Sequence, residues 1–196
     1  MNWNKVLLIT IVIMAVFMVI NIFFMFRNRT SYDQVYYRAT YSYDYSGTVH
    51  MNTTARLAFK KYEDVLKAKD SINSEDPQKK KEYYQQAIDR LSDGLDRTMK
   101  VISFNSSATV VDGLLQIVEK SVIVNFATLT NDGVVDTNLG SNKLQLVGDS
   151  KLIIEIPKDA VVLDVAPTPT EELEGGFLWQ NVGTMPFPTV RFRKPD

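Results

Sequence analysis

The chain has 196 residues, with 22 Lys+Arg set against 23 Asp+Glu for a formal net charge of −1. That balance provides no electrostatic footprint for nucleic acid. With no cysteine and a single histidine, disulfides, thiolate metal sites and cysteine nucleophiles are excluded, and a histidine-based metal centre has no partners.

After a short tail (residues 1–5), Val6 to Phe26 runs 21 positions without a charge, and only Thr10 and Asn21 interrupt its apolar character. As a helix it would be about 31 Å long, which matches the hydrocarbon core of a bilayer. It is apolar on every side, whereas a helix packed on a soluble core keeps a polar stripe. A cleaved signal peptide has a shorter apolar core, about 7–15 residues, and a small-residue exit. Here the exit is Phe23, Phe24, Met25 and Phe26, then Arg27 and Arg29. Residues 6–26 are therefore read as an uncleaved single-pass anchor in contact with membrane lipid. Trp3 and the phenylalanines would sit at headgroup depth. Glycine pairs that would signal helix pairing are missing from the run.

Orientation is less directly written. Arg27, Arg29 and Arg38 outnumber Lys5 near the run, which by the positive-inside tendency favours a cytoplasmic domain. Large domains translocate largely regardless of charge, and the short tail is that of a signal-anchor. The expectation is a domain outside the cytoplasm. Asn-x-Ser/Thr triplets at Asn28, Asn52 and Asn105 are too few to decide.

Residues 27–34 read as a polar linker, and 35–196 as one α+β domain. Within 35–55, Val35, Tyr37, Ala39, Tyr41, Tyr43 and Tyr45 alternate with polar neighbours, Ser46-Gly47 can turn the chain, and Val49, Met51, Thr53 and Ala55 resume the alternation. That is a hairpin of half-buried strands. The tyrosine row also suits a stacking platform for sugars or bases; packing between strands explains it as well, and no basic companions of the stacking kind surround it.

Residues 57–100 read as a pair of amphipathic helices. Ala58, Tyr62, Val65 and Ile72 recur at helical spacing; Asp76-Pro77 supplies a cap and a first-turn proline; Tyr84, Ala87, Ile88, Leu91, Leu95 and Ile102 trace one stripe. Asp93 to Arg97 and Asp96 to Lys100 are favourable i,i+4 pairs on such a helix. Lys79, Lys80 and Lys81 read as a solvated helix start, with anionic lipid as the sharper alternative. Asp89, Asp93 and Asp96 share a face that could hold a cation, but the basic neighbours Arg90, Arg97 and Lys100 favour a solvated surface.

Residues 101–196 form a strand-rich part. Val101–Phe104 and Ala108–Val111 read as short pieces, and 114–129 as a long strand with a bend near Glu119-Lys120. Asn131-Asp132-Gly133 is a turn, and strands follow over 144–147, 152–156, 161–165, 177–180 and 190–193. Helices in one block and strands in another predict a largely antiparallel sheet.

The distal stretch resembles a known group. Gly148-Asp149-Ser150, Leu152-Ile153-Ile154-Glu155-Ile156-Pro157, Val165-Ala166-Pro167-Thr168-Pro169-Thr170, Leu178-Trp179 and Phe187-Pro188 look like the carboxy-terminal half of an uncharacterised prokaryotic family, archaeal and from thermophilic or anaerobic bacteria. Its members carry a single membrane span and one domain of unknown function. The resemblance implies an anchored extracytoplasmic domain and brings no catalytic residues.

The search for chemistry yields no catalytic, cofactor-binding or metal residue. His50 sits in a strand without a nucleophile elbow to serve. Asn131, Asp132, Asp136 and Asn138 miss the spacing of a calcium loop, and Glu171, Glu172 and Glu174 read as solvated acids. The leading expectation is a non-catalytic domain that binds or scaffolds an envelope protein. The alternatives are a membrane-tethered hydrolase using dispersed carboxylates such as Asp136 or Glu155, and a cytoplasm-facing tether.

Overall fold

The computed structural model describes residues 32–146 and 149–195. The tail and the apolar run at 6–26 lie outside the described residues, and among those described no helix is long and apolar enough to cross a membrane.

Strands β1 (Tyr32–Tyr43) and β2 (Val49–Phe59) form the expected antiparallel hairpin. β1 begins at Tyr32, inside the stretch read as linker. The Asp44 carboxylate closes the turn by accepting from Ser46 N at 2.8 Å and Thr48 N at 3.0 Å. Gly47 has φ +78, and a Cβ there would lie 2.6 Å from Ala127 O, so this turn requires glycine. A bulge between Gln34 and Tyr36 shifts the alternation and leaves Val35 47% exposed, against the expected pattern. Beyond it Ala39, Tyr41 and Tyr43 are buried, so this part of the tyrosine row is core and not a stacking platform.

Two helices follow, α1 (Tyr62–Ser74) and α2 (Pro77–Ser92). Asp76 caps α2 as expected, accepting from Gln78 N at 2.9 Å and Lys79 N at 3.0 Å. Tyr84, Ala87, Ile88 and Leu91 form its buried stripe. α2 ends at Ser92, ten residues short of the expected stripe end at Ile102. Burial of Met99 and Val101 two apart, resumed after a bulge at Phe104, Ser106 and Ala108, wins over the helical spacing, and Ile102 bulges out 47% exposed. The pairs Asp93–Arg97 and Asp96–Lys100 therefore do not lie on a helix.

β3 (Lys100–Val111) and β4 (Leu114–Val124) are each continuous, joined by Asp112 at φ 51 and Gly113 at φ 77. The bend expected at Glu119-Lys120 is absent: β4 passes straight through it. Shorter strands complete the fold: β5 (Thr128–Leu129), β6 (Val135–Asp136), β7 (Lys143–Leu146), β8 (Lys151–Glu155), β9 (Val161–Ala166), β10 (Glu171–Leu173), β11 (Gly176–Gln180), β12 (Gly183–Pro186) and β13 (Thr189–Arg193).

A seven-stranded sheet runs β10-β11-β8-β1-β2-β4-β3, beside a four-stranded sheet β5-β6-β13-β9 and the pair β12-β7. Among the described strands only β1 and β8 pair in parallel, so the α+β, mostly antiparallel expectation holds. α1 and α2 cover β2, β4 and β3 on one face. The distal strands meet the other part of the core, where the Tyr41 ring lies 5.6 Å from Phe187 and the Tyr45 ring 6.0 Å from Phe192. Buried side chains form a large cluster around Tyr41, Trp179 and Phe192, and a smaller one beneath α1 around Leu57, Val65 and Leu115.

Candidate functional site

Strand register sets a polar row across the centre of the large sheet. Ala39, Thr53, Glu119 and Ser106 are side by side on β1, β2, β4 and β3. The next row is Tyr41, Met51, Ser121 and Phe104; the row on the other side is Tyr37, Ala55, Ile117 and Ala108. The polar row thus lies between the apolar rows of the two core clusters.

Helix α2 lies over this row. Lys80, in its first turn, is only 8% exposed and donates through Nζ to Ser106 O at 3.2 Å. One turn on, the Tyr84 hydroxyl lies 3.1 Å from Ser121 Oγ and 3.6 Å from Met51 Sδ, with its ring stacked 4.3 Å from Phe104. Glu119 is 6% exposed. Burial pushes its carboxyl up to about 8, and the Lys80 charge pulls it down by a smaller amount. Burial lowers the Lys80 ammonium, opposed by Glu75 and Glu119. The two charges favour each other, while the Lys80 hydrogen bond goes to Ser106 O. Burial raises the Tyr37, Tyr41 and Tyr84 hydroxyls, so they stay neutral. Raised to about 8 by burial, the Glu119 carboxyl can take up and release one proton inside the fold near neutrality.

The opposite face of the same strands is open. Lys120 sits between Asn52 and Asn105, while His50 pairs with Ser42 and Val122. With Ser103 they line a depression of ≈ 410 Å³. Its wall offers amide and hydroxyl groups of both hydrogen-bonding senses and one ammonium, a set suited to polar recognition.

The residues weighed from sequence are scattered. Asp136 lies in β6, accepts from Asn138 N at 2.9 Å and stands 3.6 Å from the Arg191 guanidinium. Glu155 lies in the other sheet, at the end of β8, where the Ser42 hydroxyl donates to it. The structure does not assemble them into one cleft. His50 is exposed on the rim of the depression. Asp89 accepts from Gln85 Nε2 at 2.7 Å, and among the described residues no group of three His, Asp or Glu could hold a metal ion. Glu174 pairs with Lys158 at 2.8 Å on the surface. Asp132 is held below the usual carboxylate range chiefly by the Thr130 hydroxyl, as a turn residue. Of the lysine triplet, Lys80 turns inward, contrary to the solvated reading.

Residues 32–193 match the family model described as a domain of unknown function, DUF4897. The chain belongs to this family. The DUF4897 match agrees with the uncharacterised domain implied by the distal motifs. No curated protein matches the chain. Among solved structures, the NMR structure of the folded domain of Mycobacterium tuberculosis LppM is similar at a TM-score of 0.42 and 13% identity, over 82% of this chain and 90% of that one.

Proposed function

We propose that this chain is a prokaryotic single-pass membrane protein whose DUF4897 domain lies outside the cytoplasm and binds or scaffolds an envelope protein without catalysis. The observation that carries the reading is the charge-free run Val6–Phe26 followed almost at once by folded chain at Tyr32. At about 3.3–3.6 Å per residue, the intervening chain spans at most about 20 Å, so an anchored domain works at the membrane surface. The open polar face around Asn52, Asn105 and Lys120 gives such a domain a surface for a partner.

The test is protease treatment of intact cells that carry a carboxy-terminal tag, combined with a photocrosslinker at Asn52. The reading predicts that the tag is cleaved without permeabilisation, and that the crosslinker captures one partner which is lost on Lys120→Glu. A tag protected until permeabilisation would favour the cytoplasm-facing tether. No lysine-dependent partner would remove the binding role.

A further inference from the structure

The end of the domain nearest the apolar run has an unusual surface. β1 enters there at Tyr32, and its hairpin partner β2 leaves there at Phe59, with the two rings 5.7 Å apart. Close by in the chain, Tyr62 is 57% exposed at the first position of α1, and Leu66, one turn on, is 37% exposed. The other side of α1 holds Val65, Ala68 and Ile72 in the core, so Tyr62 and Leu66 face away from the sheet. Soluble surfaces show such side chains singly; two on one helix face beside two half-buried rings mark a contact surface. Tyrosine in particular favours the headgroup region, where its ring is in apolar surroundings and its hydroxyl is wet.

The chain itself says what lies opposite. Residues 27–31 are all that separate Phe26 from Tyr32, so on the anchored reading this end of the domain is within about 20 Å of the bilayer. We infer that Tyr62 and Leu66 rest in the headgroup region of the membrane that holds the anchor. The inference deepens the proposed function and rests on it. The contact is apolar and not electrostatic: Lys60, Lys61 and Lys67 are set against Glu63 and Asp64 in the same stretch, which leaves too little excess charge for a polybasic attraction. It therefore forms on zwitterionic lipid.

The absence of cysteine makes the test clean. Single nitroxide labels are placed by Val16→Cys, Tyr62→Cys, Leu66→Cys and Leu129→Cys in the full chain, reconstituted in phosphatidylcholine nanodiscs. Leu129 is 51% exposed and follows Ala127, which bonds to the Gly47 turn at the far end of the β1–β2 hairpin. The readout is collision with oxygen, which concentrates in lipid, against a water-soluble nickel chelate. The expected result is an oxygen-to-nickel ratio several-fold higher at 62 and 66 than at 129, and highest at 16. If 16 reports lipid while 62 and 66 match 129, the docked surface is refuted and the anchor stands. If 16 reports water, the anchored reading falls and takes the inference with it. Spin–spin broadening at 62 and 66 would show a second copy covering the patch and overturn the lipid contact. Contact that appears only after anionic lipid is added would overturn its apolar basis.

Discussion

Replacing Glu119 with glutamine tests the buried row directly. Burial moves this carboxyl from 4.5 to about 8 in the folded chain. Below pH 4.5 both folded and unfolded chains hold the proton, and the site imposes no penalty. Between 4.5 and 8 the unfolded chain ionises while the folded chain stays protonated, so stability falls by about 1.4 kcal/mol per pH unit. Above 8 the deficit levels off, at an order of magnitude of about 5 kcal/mol over the whole window. Glutamine keeps the size and removes the titration. Urea unfolding of the full chain in micelles, followed by far-ultraviolet circular dichroism from pH 4.5 to 9, should give wild-type stability that declines with pH and a Glu119→Gln profile that is flatter. The variant should lie within about 1 kcal/mol of wild type at the acid end and be more stable by about 3–5 kcal/mol at pH 9. Parallel profiles, or a variant less stable at pH 9, would refute the assignment of a neutral buried carboxyl.

Other outcomes follow from the same contacts. Lys80→Met removes the charge that holds the Glu119 carboxyl down, so carbon-13 NMR of that carboxyl should show titration moving to still higher pH. Tyr84→Phe leaves Ser121 Oγ without its 3.1 Å partner in the core and should cost about 1–2 kcal/mol in urea unfolding. Asp76→Ala strips the cap from Gln78 N and Lys79 N and should cost about 1 kcal/mol. Gly47→Ala forces a Cβ against Ala127 O, and a lower thermal midpoint is expected, with Gly94→Ala, which meets nothing within 4 Å, as the tolerant control.

Much of the fold is legible because the local signals are strong and agree. Period two through Tyr37, Ala39 and Tyr41, the Asp76-Pro77 start and the Gly47 turn each dictate backbone geometry within a few residues. The misreadings come from competition between local and distant terms. Leu95 and Ile102 continue a helical spacing, but burial of Met99 just before β3 and of Val101 within it wins over another helical turn. The candidate site was read past for a related reason. Glu119 occupies an inward position in the series Leu115, Ile117, Glu119, Ser121, Ile123, and its charge suggested a bend where the pattern itself continued. Lys80 is hidden in a lysine triplet whose neighbours are more exposed. The inward aim of Glu119 is fixed by its pairing with Thr53 on β2, and that of Lys80 by the packing of α2 on β3, contacts between elements that no local window contains.

The central claim is the membrane anchor, and fractionation tests it most directly. Cells are broken without detergent, and the membranes are sedimented by ultracentrifugation and washed at alkaline pH. The account predicts that the full chain stays in the pellet and that a chain lacking residues 6–26 moves to the supernatant. Recovery of the intact chain in the first supernatant would contradict it.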